Sequence, residues 1–182
     1  MIGILPKSLE IGNTEYKIRS DFRVALLIFE AFNDTELTDS EKIKVCLECL
    51  YEEIPDDMET AYKKAVWFLD GGDIPKSKPL RKKTFDWKQD ESLIFSAVNK
   101  SAGFETRSAE YIHWWTFLGY FSEIGDGLFS QVLNIRSKKA KGKKLEKWEL
   151  EFFSEHKELI ELKQVYSAEE QAEIERLNAL LQ

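Results

Sequence analysis

Residues 108–122 read Ser-Ala-Glu-Tyr-Ile-His-Trp-Trp-Thr-Phe-Leu-Gly-Tyr-Phe-Ser. Tyr111, Ile112, Trp114, Trp115, Phe117, Leu118, Tyr120 and Phe121 leave almost no side of a helix polar, the pattern of a helix surrounded by others. The stretch therefore predicts a helix over about 108–122 at the centre of the fold. Just before it, Leu93, Ile94, Ala97 and Val98 recur at helical spacing between about Trp87 and Ser101, ahead of Gly103. After it Gly125 and Gly127 interrupt, and Leu128, Phe129, Val132, Leu133 and Ile135 begin another helix.

Toward the N-terminus, Leu9, Ile11, Tyr16 and Ile18 alternate with polar residues around Gly12-Asn13, which predicts a β-hairpin. Ser20 and Asp21 offer N-caps for a helix to about Phe32, with Phe22, Ala25, Leu26 and Phe29 inward. Asn33 to Asp39 reads as a polar loop. Thr38 and Glu41 are spaced as a capping box for a helix whose stripe is Ile43, Cys46, Leu47 and Leu50. Pro55-Asp56-Asp57 opens a third helix with Met58, Tyr62, Ala65, Val66 and Leu69 on its buried face, and Gly71-Gly72 ends it. Residues 73–84 then carry Pro75, Pro79 and five Lys or Arg with almost nothing to bury, a basic loop between two helical halves.

Beyond the central helix, seven Lys or Arg between Arg136 and Lys147 surround Gly142 and read as a flexible hinge. The stretch from Lys144 onward has a helical stripe of Trp148, Phe152, Leu159, Leu162 and Tyr166. Ser167 and Glu170 cap a final helix holding Ala172, Ile174, Leu177, Leu180 and Leu181. Nine Glu between Glu149 and Glu175 make the polar face of this tail acidic. The expected architecture is mainly α: a multi-helix bundle with a small N-terminal β-hairpin and a C-terminal amphipathic helical tail. Residues 1–142 form the helical domain and 143–182 the tail.

Composition bounds the function. At 182 residues with 43% apolar and 32% charged, the chain is large enough for one packed core. A net charge of −7 argues against a general nucleic-acid coat. Two Cys and two His are too few for a disulfide framework or a self-contained zinc module. The longest wholly apolar run, Val24 to Phe29, is far short of the roughly 20 residues of a membrane span. The opening from Met1 to Lys7 has no signal-peptide pattern. A soluble intracellular chain, without membrane, metal or cofactor, is the expectation.

The apparent chemical motifs are explained by packing. Cys46-Leu47-Glu48-Cys49 lies inside a helix with Cys46 on its apolar stripe, whereas a redox pair wants a helix N-terminus. His113 has no nucleophile beside it in sequence, and Trp114-Trp115 reads as core. The acidic clusters at Glu52-Glu53 and Asp56-Asp57 read as solvated faces and caps. An enzyme would need Asp90, His113 or Glu123 to converge. The two basic segments are the strongest charge signal, suited to an acidic protein surface or to phosphates.

Several blocks, in order, carry a family likeness. They are Ile11-Gly12 with Tyr16-Lys17-Ile18-Arg19-Ser20-Asp21-Phe22-Arg23, then Pro55-Asp56-Asp57 and Ala65-Val66-Trp67-Phe68. Phe85-Asp86-Trp87-Lys88-Gln89-Asp90, His113-Trp114-Trp115-Thr116-Phe117, Ile135-Arg136, and the stretch from Lys143-Lys144-Leu145 to Phe153 follow. Together they resemble the bacteriophage gene-product-fifteen family, small proteins of siphophages and related prophages. The resemblance implies a tail assembly chaperone encoded between the tail-tube and tape-measure genes. Such a protein coats the helical tape-measure protein, keeps it soluble, and yields it to tail-tube subunits in the cytoplasm of the bacterial host. No catalytic residues come with it.

The expected partner-binding residues are Trp148, Phe152, Leu159, Leu162 and Tyr166 on the tail, with Lys138, Lys139, Lys143 and Lys144 at the hinge. Self-association is a further expectation. Two alternatives stay open: the tail folds back on its own bundle, or the basic segments bind nucleic acid.

Overall fold

Ser8–Ile11 (β1) and Thr14–Lys17 (β2) pair antiparallel, Ser8 opposite Lys17 and Ile11 opposite Thr14, around the two-residue turn that Gly12-Asn13 predicted. The computed structural model describes residues 3–73, 83–163, 172–173 and 176. Past the hairpin the backbone docks on the end of the second helix, with Arg19 N–H donating to Leu50 C=O at 2.7 Å. The Arg19 guanidinium then donates to the carbonyls of Glu48, Cys49 and Tyr51. A cation there complements the negative end of the helix dipole.

Three helices follow as their caps predict: Phe22–Asn33 (α1), Asp39–Leu50 (α2) and Met58–Leu69 (α3). Asp21 accepts from Arg23 N–H, Thr38 and Glu41 form the capping box, and Asp57 accepts from Thr60 N–H. Two inner faces are turned from expectation. In α1, Ile28 is wholly buried while Leu26 and Phe29 are partly covered. In α3 the inner face is Ala61, Ala65, Phe68 and Leu69, and Met58 is 59% exposed. Met58 and Tyr62, one turn apart, fall on the neighbouring face of the helix.

The later helices are Glu91–Ala102 (α4), Trp114–Ser122 (α5), Leu128–Ala140 (α6), Lys147–Glu155 (α7) and Lys157–Ile160 (α8). α4 starts later than its periodicity predicted because Asp86 organises a turn: its carboxylate accepts the N–H groups of Lys88 and Gln89, both at 2.9 Å. α5 starts at Trp114 rather than Ser108 for a tertiary reason. Phe22 N–H donates to Ile112 C=O, and Trp114 N–H to Ser20 C=O. Residues 112–114 are thus drawn into extended pairing with residues 20–22, and a hydrophobic stretch that fits a helix yields to it.

α5 lies at the centre, as its composition predicts. Phe117 stacks on Phe22 with centroids 4.5 Å apart, and Trp114 is 1% exposed. Their cluster joins the hairpin to α1–α5 and to Phe129 of α6. The two tryptophans tie α5 to the end of α3: Trp114 Nε1–H donates to Leu69 C=O and Trp115 Nε1–H to Phe68 C=O. Gly72, at φ +86, lets the chain pass there; an added Cβ would lie 2.8 Å from Trp115 Cη2.

The expected hinge is more ordered than its Lys-Gly composition suggested. α6 runs through Lys138 and Lys139, and Gly142 at φ +64 closes it. Gly142 N–H donates to Lys139 C=O and Lys143 N–H to Lys138 C=O, the paired bonds of a Schellman cap. The single tail helix expected from Trp148 to Tyr166 is two short ones, broken at His156. Tyr166 and the expected final helix fall outside the described residues, apart from Ala172, Glu173 and Arg176, which are helical and exposed. No described helix is long and apolar enough to cross a membrane.

Candidate docking surfaces and the anchored arm

The residues with chemical potential are engaged in structure. The Cys46 thiol is buried, and burial first, then Cys49, pushes its pKa up to about 12. Burial also raises Cys49. Neither is poised as a thiolate. His113 caps α5: its Nδ1 accepts Trp115 N–H at 3.0 Å, so the proton sits on Nε2, which donates to Pro6 C=O at 2.9 Å. Asp90 is locked to an arginine, and Glu123 is exposed at the far end of α5. Among the described residues no group of His, Cys, Asp or Glu could hold a metal ion.

The setting of His113 makes stability pH-dependent. Burial lowers its pKa, the bond to Pro6 opposes that, and Lys7 lowers it further. The unfolded chain therefore binds this proton at higher pH than the folded one. Stability is full above about 6.5, the unfolded value, and falls as pH drops from there toward the lower folded value. Protonation would also put a hydrogen on Nδ1, facing the Trp115 N–H it must accept. Between pH 7.5 and 5.5 the melting temperature is expected to fall, and His113→Asn, which can still cap, should flatten that slope. An equal slope in thermal melts of both proteins would refute the assignment.

The expected partner residues lie around a C-terminal arm, α7–α8, that packs back on α6. Ile160 is buried with Val132 and Ile135, and Phe152, Phe153, Leu159 and Leu145 pack around them. Phe152 and Leu159 are thus partly covered by the chain itself. Leu162 is half-buried. Trp148 and its neighbour Leu150 remain about half exposed, at 47% and 52%. The three buried residues of this cluster are distinct from those of the main core, and Leu93 packs against both.

Polar anchors hold the arm. Arg136 uses all five of its N–H donors. It forks onto Asp90 at 2.6 and 2.8 Å and donates to the carbonyls of Thr84, Leu159 and Ile160. Asp90 is 3% exposed and Arg136 7%. Gln89 adds a two-way bond to the backbone of Lys163, at 2.8 and 2.9 Å. At the other end the buried Glu149 accepts from Lys138 at 2.6 Å, from Asn134 at 2.9 Å, and from Glu146 N–H. The Lys138 bond leads in holding the Glu149 pKa below its ordinary value.

The basic residues divide accordingly. Lys138 is spent on Glu149, while Lys139 lies over the Phe153 ring at 3.7 Å and near Glu161 at 3.6 Å. Lys143 and Lys144 are exposed. In the other basic segment, Lys83 bonds Asp86 and Asn33, and residues 74–82 fall outside the described set.

Two apolar grooves open elsewhere. One, of about 430 Å³, lies between α1 and α4 beside Leu26, Leu27 and Phe95; its cations Arg23, Lys88 and Arg107 are paired with Asp21, Glu30 and Glu105. The other, of about 540 Å³, lies between α2 and α3 and is lined by Ile43, Leu47, Ile54, Met58 and Tyr62. Sequence periodicity missed this one by assigning Met58 and Tyr62 to a buried face. The available signal was Ile54 and Met58 standing alone among acids.

The fold and these surfaces define a small helical protein with an anchored arm and open apolar grooves. The family model for "Bacteriophage Gp15 protein" matches residues 1–167, and the chain belongs to that family. No curated protein and no solved structure matches it.

Proposed function

We propose that this protein is a non-enzymatic phage tail assembly chaperone, which binds the tape-measure protein and helps recruit tail-tube subunits in the host cytoplasm. The observation that carries the reading, beside family membership, is how the bundle holds its own arm. Short amphipathic helices are seated on α6 by three buried aliphatic side chains and a set of polar anchors. A surface built this way holds helices without the large apolar interface of a permanent complex. Transient affinity is what a chaperone for an aggregation-prone helical protein needs.

Co-expression with the cognate tape-measure protein is expected to raise that protein's soluble yield and to allow both to be purified together. Unchanged solubility and no co-purification would refute the proposal. A nucleic-acid role draws on the exposed Lys143 and Lys144. It requires salt-sensitive binding that weakens when those two lysines are neutralised.

A further inference from the structure

The groove between α2 and α3 differs from the other surfaces in what surrounds it. Ile54 is 45% exposed and Met58 59%. They are the open lip of a groove floored by Leu47 and walled by Ile43 and Tyr62. From Glu48 to Glu59 the chain carries six acids (Glu48, Glu52, Glu53, Asp56, Asp57, Glu59) and no Lys or Arg. Two of them line the groove and are matched locally: Glu48 with Lys44, which also lines it, at 3.7 Å, and Glu59 with Lys63 at 2.6 Å, both exposed pairs. Asp57 is spent as the α3 cap. Glu52 turns to the cleft beside Lys7, Lys17 and Arg19, while Glu53 and Asp56, which flank Ile54 in the chain, are exposed and have no ion-pair partner among the described residues.

An apolar groove between two helices accepts the apolar stripe of a third, read as anchors at i, i+3 or i+4, and i+7. Carboxylates beside such a groove favour cations flanking the stripe and repel acids there. We infer that this groove is the docking site for a cationic amphipathic helix of another protein, its aliphatic stripe seated on Ile54 and Met58 and its Lys or Arg residues drawn to Glu53 and Asp56 on either side of Ile54. The chain's own C-terminal segment fits poorly, since residues 164–182 carry four Glu against one Arg and no Lys. The inference rests on the chaperone reading only in taking the partner to be helical.

The test uses the full-length protein and two labelled peptides of about 18 residues, five helical turns. Both carry the same leucine stripe, one flanked by lysines and the other by glutamates. Fluorescence anisotropy is expected to show the lysine peptide binding at least about tenfold more tightly, with the difference shrinking as salt rises. Ile54→Thr with Met58→Gln should weaken it about tenfold. Glu53→Lys with Asp56→Lys should reverse the preference. All four positions are exposed, and circular dichroism checks that the variants fold.

Equal binding of the two peptides, absence of binding, or indifference to the Ile54 and Met58 changes would overturn the inference. So would self-association that the same two changes abolish, which would assign the groove to a second copy. The chaperone reading fails separately. If the tape-measure protein is solubilised but the lysine peptide does not bind, that reading stands and the groove inference falls. If the lysine peptide binds as described but the tape-measure protein is not solubilised, the reverse holds.

Discussion

Arg136→Ala is expected to cost about 3–5 kcal/mol, because it strands a buried carboxylate rather than merely deleting a contact. Asp90 would lose its cation in a site 3% exposed, with the Asp86 N–H as its remaining close donor. The same change orphans the carbonyls of Leu159 and Ile160, which close the arm against α6. The arm should therefore open before the bundle melts. Hydrogen exchange across 147–163 should accelerate well beyond that of α5, and protease cuts should concentrate in the arm. Replacing both partners, Arg136→Met with Asp90→Leu, removes the stranded charge and is expected to restore most of the global stability. It should not restore protection of the arm, because no apolar side chain can bind those two carbonyls. Equal loss of protection in arm and core in Arg136→Ala would refute this account. Arg136→Lys keeps the charge but not the fork, and should fall between the two.

How far the sequence revealed this depends on the range of each interaction. Local signals were readable: Thr38 and Glu41 form the predicted box, Gly12-Asn13 the predicted turn, and Asp57 the predicted cap. The composition of α5 placed it at the centre because no orientation could leave it a polar face. Errors arose where a distant segment decided the outcome. Residues 108–113 have helical periodicity, yet residues 112–114 pair with residues 20–22, about ninety positions away in the chain. Met58 and Tyr62 share a helix face, but which face turns inward depends on where α2 lies. The Asp90–Arg136 fork spans 46 positions, and nothing in either local context announces it. Arg136 sat within a basic run and looked like one more solvated cation. The Ile135-Arg136 block carries a family likeness, which does not say which atoms the guanidinium touches.

The exposed apolar surface was the least legible for the same reason. The tail stripe of Phe152 and Leu159 is real, yet α6 covers part of it, while the α2–α3 groove is made by residues that each look ordinary in sequence. An interface is a property of two elements meeting. Periodicity describes one element at a time, so it finds stripes and cannot say which stripe stays open.

Trp114→Ala should have a comparable magnitude by a different route, about 3–5 kcal/mol from a cavity in the main core. Trp114 is 1% exposed and in ring contact with Phe29, Trp87 and Phe117 at 5.8–6.0 Å. Collapse around the hole is hindered because those rings are themselves held by Phe22 and Phe121. Trp114→Phe keeps much of the ring surface and removes the Nε1–H donor to Leu69 C=O; with the smaller ring it should cost about 1–3 kcal/mol. The half-buried Trp115, whose indole makes the neighbouring bond to Phe68 C=O, should tolerate the same change better because water can reach the site. The arm separates the two mechanisms. Its cluster of Val132, Ile135 and Ile160 lies outside the main core, so Trp114→Ala should lower the global melting temperature while leaving the free energy of arm opening unchanged. Arg136→Ala should lower both. If native-state hydrogen exchange showed Trp114→Ala opening the arm as strongly as Arg136→Ala does, the two clusters would be one cooperative unit, and the polar anchors could not be what holds the arm in place.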